Sequence, residues 1–289
     1  MSDIVIIGAG KVGTSLGYAL SRKKHTIKAL VCKSIYSAME SQKMIGQGEI
    51  FDDKALAARQ GQWIVLSVPD DEIEKSAREL ATSDMGWEGR LVFHCSGLLS
   101  TESLKHLEKK GAWTASIHPI QSFPQKKPAL DAFKGIYFGL EGKGKALDLA
   151  KRIVHQLESQ YVILESQDKP LYHVACSMAS NFLVTLLDAA SLLLGQIGKD
   201  ENVNFQLLLP LVQGTLQNVK NFNTHSALTG PIFRGDEKSI QKHLRALRKF
   251  PLQKKIYQEL GRYMLQIVEG EKKLPSKKIR ALRALLEGK

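Results

Sequence analysis

The hydrophobic positions change their period once along the chain. Up to residue 165, short β-branched runs alternate with segments whose apolar residues recur every three or four positions. The runs predict strands at 3–7, 27–32, 63–68, 90–95, 112–117, 135–140 and 161–164, and the periodic segments predict helices near 12–21, 71–81, 101–110 and 145–157. A strand that returns parallel to its predecessor needs a crossover helix, so this alternation specifies a parallel sheet with helices on both faces. Beyond residue 165 the strand pattern stops. Stretches 169–194, 203–221, 236–249, 253–268 and 276–286 all carry the helical period, separated by Gly, Pro and Asn clusters. The expected fold class is therefore α/β, with a doubly wound, Rossmann-like parallel sheet over 1–165 and an all-α domain over 166–289.

Composition changes this picture little. Of 289 residues, 43% are hydrophobic and 24% charged, the balance of an ordinary globular protein rather than a disordered or fibrous one. Apolar runs such as 182–187 and 192–194 are broken by polar residues well short of the roughly 18 a membrane span requires, so no membrane association is expected. Residues 1–7 lack the basic, apolar and small-residue order of a secretion signal, and Cys32, Cys95 and Cys176 suit neither a disulfide framework nor a metal site. Both features point to a reducing cytoplasm. The net charge of +12 matters more for where it lies, since ten of those charges fall in residues 240–289. No aromatic residues interleave with the cations Lys272, Lys273, Lys277, Lys278, Arg280 and Arg283 to stack bases, which argues for a solvated helix face and against a nucleic-acid partner.

The candidate chemistry begins at Gly8-Ala9-Gly10-Lys11-Val12-Gly13, a GxGxxG run directly after the first strand and opening the first helix. Gly8 permits the tight turn, Gly10 a close approach of pyrophosphate to backbone, and Gly13 close packing of helix on strand. The phosphates would rest on the helix N-terminus. Where an NAD-binding chain would place an acid for the ribose diol, this one has Lys33 and Ser34, a cation and a hydroxyl suited to a 2′-phosphate. NADP is thus expected in preference to NAD.

Ligands of doubly wound sheets bind beyond the carboxyl ends of the strands. That rim collects Val68-Pro69-Asp70, Ser96 and His118, with Asp70 read as the N-cap of the following helix and Ser96 and His118 as contacts to substrate or cofactor. In the long helix that opens the second half, His173, Ser177, Ser180 and Asn181 share one face at 3.6 residues per turn, and Asp188 extends it. A polar stripe on so apolar a helix either faces water or lines a cleft. The expected catalytic residues are His173 as proton donor, with His118 its rival, and Asn181 and Ser96 orienting the substrate; Ser177 with Arg234, which sits in a glycine-flanked loop, are the expected substrate contacts. Asp236 reads as a helix N-cap. Exposed leucines at 207, 208, 209 and 211 predict a homodimer through the helical half.

With GAGKVG, HCSG, SIHPIQSF, YHVACSMASNF and TGPIFRGD in this order, the chain resembles a Rossmann-like family whose C-terminal helical half is a domain of unknown function. That family is related to pyrroline-5-carboxylate reductase, ketopantoate reductase and the β-hydroxyacid dehydrogenases. The resemblance implies an NADP-linked oxidoreductase with a 6-phosphogluconate dehydrogenase-like helical domain and a small-molecule substrate, a carbonyl, hydroxy acid or imine, in an interdomain cleft. In the β-hydroxyacid dehydrogenases the helix opening the second domain supplies a catalytic Lys and a nearby Asn. Here the matching helix offers Asn181, with His173 in place of a Lys at the expected position. A non-catalytic NADP-binding sensor is the alternative.

Overall fold

The computed structural model describes residues 1–126, 128, 129, 131–198 and 201–288. Among them the first unit, Met1–Asn181, is built on an eight-stranded sheet ordered β3-β2-β1-β4-β5-β6-β7-β8. Its strands are β1 (Asp3–Ile7), β2 (Thr26–Val31), β3 (Glu49–Phe51), β4 (Trp63–Leu66), β5 (Leu91–His94), β6 (Trp113–Pro119), β7 (Tyr137–Gly142) and β8 (Gln160–Ile163). Its helices are α1 (Lys11–Ser21), α2 (Ile35–Ile45), α3 (Lys54–Ala58), α4 (Asp70–Ala81), α5 (Lys105–Glu108), α6 (Gly144–Gln156) and α7 (Lys169–Ser177).

Strands β1 to β6 are mutually parallel, which brings the carboxyl ends of β1, β4, β5 and β6 to one rim. β7 pairs antiparallel with β6, placing Glu141 opposite Ser116 and Gly139 opposite His118, and β8 runs parallel to β7. The sheet is thus mostly parallel, as the fold class expected, and the reversal at β7 arises because, among the described residues, the connection from β6 to β7 carries no crossover helix to return the chain. Two apolar layers sandwich the sheet. One gathers Ile4, Ile6, Leu16, Leu20, Phe93, Ile117, Phe133 and Phe138, the other Val5, Ile7, Ile64, Leu66, Ile73, Leu80 and Val92. Neighbouring strand residues alternate between them, as the pleat requires.

The sequence pattern does not predict three elements of this unit, α2, β3 and the five-residue α3. α2, Ile-Tyr-Ser-Ala-Met-Glu-Ser-Gln-Lys-Met-Ile, turns Ala38, Ser41 and Ile45 inward, a stripe too thin to register as amphipathic. β3 has only three residues and takes its place by pairing with β2.

The second unit, Phe182–Lys289, is helical: α8 (Leu183–Gly195), α9 (Glu201–Ser226), α10 (Pro231–Arg234), α11 (Glu237–Ala246), α12 (Pro251–Gly270) and α13 (Ser276–Glu287). Ile232, Ile240, Leu265, Val268, Ile279, Leu282 and Leu286 form its core. Asp236 caps α11 as expected, accepting from the Ser239 amide, and its carboxyl is held below the ordinary range mainly by the Ser239 hydroxyl.

The helical stretch Ser166–Gly195 amends the membrane expectation. It is 30 residues long, and its most apolar 18-residue window has a mean hydropathy of 1.5 with no buried residue, enough by length and composition to cross a bilayer. The sequence reading had treated its apolar runs separately, whereas the helix joins them.

Candidate active site

The glycine turn has the shape its sequence implies. Gly8 adopts φ +90°, and a Cβ there would fall 2.6 Å from the Val68 amide nitrogen. At Gly13 a Cβ would fall 2.3 Å from Ser67 Oγ and 2.7 Å from the Gly8 carbonyl oxygen. At Gly10, by contrast, it would meet nothing nearer than 3.9 Å, so the backbone at the start of α1 is open on that side. Ser67, at the end of β4, donates to the Gly8 carbonyl at 2.8 Å, and Ser41 of α2 donates to that of Ala9 at 2.7 Å. The turn is thus fastened to two neighbouring elements with Gly10 and Lys11 exposed. An open backbone at a helix N-terminus has the shape that a pyrophosphate requires.

Lys33 and Ser34 follow β2, both exposed. Ser34 is the N-cap of α2, accepting from the Ser37 amide at 3.3 Å. Val68 and Pro69 follow β4 on the same rim. Asp70 is corrected: it is the first residue of α4, where Pro69 holds the cap position, and its carboxylate accepts instead from Ser96 Oγ at 2.8 Å.

Past β5 and β6 the rim holds a connected polar group. Ser96 is buried, with its hydroxyl hydrogen on Asp70 and its oxygen accepting from the amides of Leu98 and Leu99. It therefore acts by shaping the 97–99 loop. His118 Nδ1 lies 2.7 Å from the Tyr172 hydroxyl, and its ring centroid is 6.4 Å from that of His173. Gly97 makes this approach feasible, since a Cβ there would fall 2.8 Å from His118 and 3.0 Å from His173. Gly139, opposite His118, likewise leaves room for the Tyr172 ring.

Beneath these rings lies Lys169, fully buried at the first position of α7. Its ammonium donates to the Ser116 hydroxyl and the Ser96 carbonyl and stands 3.7 Å from Glu141 Oε2. The other Glu141 oxygen accepts from Thr101 and Ser166. Burial lowers Lys169 to about 8, against the opposing pull of Glu141. Burial, reinforced by the nearby Lys169 charge, lowers His118 to about 4, so its imidazole is neutral at neutral pH. The same two causes lower His94, one strand away, to about 3. Burial raises the Tyr172 hydroxyl well above its ordinary value.

Lys169 and Glu141 escaped the sequence reading. The available signal was a cation at a helix N-terminus, where the macrodipole disfavours it. Lys169 stands at the first position of the helix with its side chain turned inward, four residues before His173, the residue expected in place of a lysine. The remaining expected residues are spread more widely. A wide π-helical turn over Met178–Phe182 follows α7. Such a turn inserts in effect one residue, about 100° of rotation, so the stripe drawn from His173 at regular spacing loses its phase before Asp188. Ser177 is half-buried and Asn181 exposed at that turn. Arg234, exposed at the end of α10, belongs to the second unit.

Residues 2–119 match the family model of a Rossmann-like domain, and residues 136–264 match that of a domain of unknown function, DUF2520. The two matches lie in series along the chain, the first over its amino-terminal part and the second over part of the remainder. Among solved structures the chain is similar to BF3122 of Bacteroides fragilis, provisionally assigned as an NADP oxidoreductase, at 26% identity and a TM-score of 0.77 over 91% of this chain and 97% of that one. It is similar to protein TM1727 of Thermotoga maritima at 29% identity and a TM-score of 0.69, over 93% and 99% of the two chains. A pyrroline-5-carboxylate reductase from Coxiella burnetii shares the fold at 15% identity and a TM-score of 0.58, over 98% of each chain. No curated protein matches the sequence.

Proposed function

We propose that this protein is an NADP-dependent oxidoreductase that moves a hydride to or from a small carbonyl, hydroxy acid or imine. The observation that carries the reading is the convergence on one rim of an open glycine turn and a histidine pair. The Bacteroides fragilis relative's provisional assignment points the same way. NADPH, when bound, supplies the hydride. Residues 8–13 would hold its pyrophosphate, with Lys33 and Ser34 at the 2′-phosphate and Val68 and Pro69 beside the nicotinamide half.

His173 supplies the proton that must reach the substrate oxygen or nitrogen as hydride arrives at carbon, a task suited to an imidazole, whose ring nitrogens can both give and take a proton. His118 stays neutral and accepts from Tyr172 through Nδ1, leaving Nε2–H to donate toward His173 or substrate. Asn181 and Ser177 orient the substrate from the same helical stretch, and Arg234 takes a substrate carboxylate. The three cysteines are free, in keeping with a reducing cytoplasm. We further propose that a second copy of the chain covers the exposed apolar faces of α8 and α9.

The test is NADPH oxidation against a panel of small ketones, keto acids and cyclic imines. With any accepted substrate, His173→Ala loses about 10²- to 10⁴-fold in turnover while NADPH affinity is unchanged. If His118→Ala alone abolishes turnover, the proton donor is His118. Binding of NADPH with no turnover across the panel would favour the sensor.

A further inference from the structure

Lys126 stands in a place the cofactor fingerprint does not account for. It belongs to the connection between β6 and β7, four strand spacings from β2, yet its ammonium donates to the Ser37 hydroxyl at 2.8 Å and the Ser37 carbonyl at 2.7 Å in the first turn of α2. Glu40, one turn on, pairs with it at 3.1 Å, and the lysine side chain is only 14% exposed. Strands lie about 4.8 Å apart, so the crossing from β6 to β2 is about 19 Å. The seven residues from Pro119 to Lys126 reach about 23 Å when extended. After bends at residues 120 and 121 the segment therefore crosses the carboxyl ends of β5, β4 and β1, and the long lysine side chain completes the span from a second bend at 125 and 126. Phe123, midway along it, packs on the same apolar layer as α1, which fixes the side on which it passes.

We propose that Lys126 is a specificity residue for the adenosine 2′-phosphate, delivered across the rim to the first turn of α2, where Lys33 and Ser34 form the other half of the site. This rests on the NADP reading given above. A nucleotide that carries the phosphate at the end of β2 is read by the residues just after that strand. Among those, Lys33 is the single cation before α2, and the first helical turn contributes Ile35, Tyr36 and Ser37. Two negative charges on one phosphate are met by a second cation, and the ammonium seated on Ser37 Oγ supplies it. The Glu40 and Ser37 contacts hold that ammonium in position beforehand, so little ordering is left for the bound nucleotide to impose.

The experiment is calorimetric titration of the full chain with 2′,5′-ADP and with 5′-ADP, which differ only in the 2′-phosphate, for wild type, Lys126→Ala, Lys126→Arg and Lys33→Ala. Lys126→Ala is expected to weaken 2′,5′-ADP about tenfold or more, as loss of a charge-assisted contact does, with 5′-ADP unchanged, and Lys126→Arg is expected to keep the preference. If Lys126→Ala weakens both nucleotides alike, or neither, while Lys33→Ala removes the preference, the NADP reading stands and the role of Lys126 is refuted. If the wild type does not prefer 2′,5′-ADP, the NADP reading fails and the proposal falls with it.

Discussion

At the scale of single residues, the rim is organised around one buried charge. Lys169 is enclosed by Ser116, the Ser96 carbonyl and Glu141, and its field reaches both His94 and His118. The direction of those histidine shifts makes a prediction. Each ring titrates at about 6.5 when unfolded and lower when folded, so between those values the unfolded chain binds more protons. Stability is then full above about pH 6.5 and is lost as pH falls through the window toward 4 and 3. Denaturant unfolding at pH 7 and pH 5 should show the loss, at most about 1.4 kcal/mol per pH unit for each histidine. His118→Asn should lessen the dependence by about one histidine's share. A variant as acid-sensitive as the wild type would show that His118 is not held neutral by its surroundings.

At the scale of elements, the legible parts were those whose period repeats. β1, β4, β5 and β6 lie within a residue or two of their expected ends because each is a buried apolar run, and the glycine turn sits where its spacing put it. α2 was illegible because it buries only three small or medium residues, and β3 because three residues make no period. Asp70 was misread since a carboxylate before a helix is most often a cap, and only the fold shows Ser96 within reach. Lys169 and Glu141 stand 28 positions apart in sequence and meet only because β7 turns back beside β6. The helical half leaves a different mark. Val184 on α8 is 67% exposed and Leu211 on α9 68%, apolar surface of the kind that subunit interfaces cover. Light scattering at micromolar concentration should give twice the chain mass, and Leu211→Glu with Val184→Glu should halve it. A wild type that stays monomeric would remove the dimer.

At the scale of the whole molecule, the sheet order carries the functional argument. It sets the glycine turn of β1 beside the ends of β4, β5 and β6, so that turn and the histidine pair share a rim although Gly8 and His173 are far apart in sequence. An arrangement of this kind follows from topology rather than from any local motif, which is why sequence spacing alone found the glycine turn but not the polar network around Lys169. The most direct test of the central claim is calorimetric titration of the wild-type chain with NADPH and NADH under identical conditions. The account predicts one site per chain and NADPH binding about ten- to a hundredfold tighter, the contribution of charge-assisted contacts to the 2′-phosphate. No binding of either dinucleotide, or a preference for NADH, would contradict it.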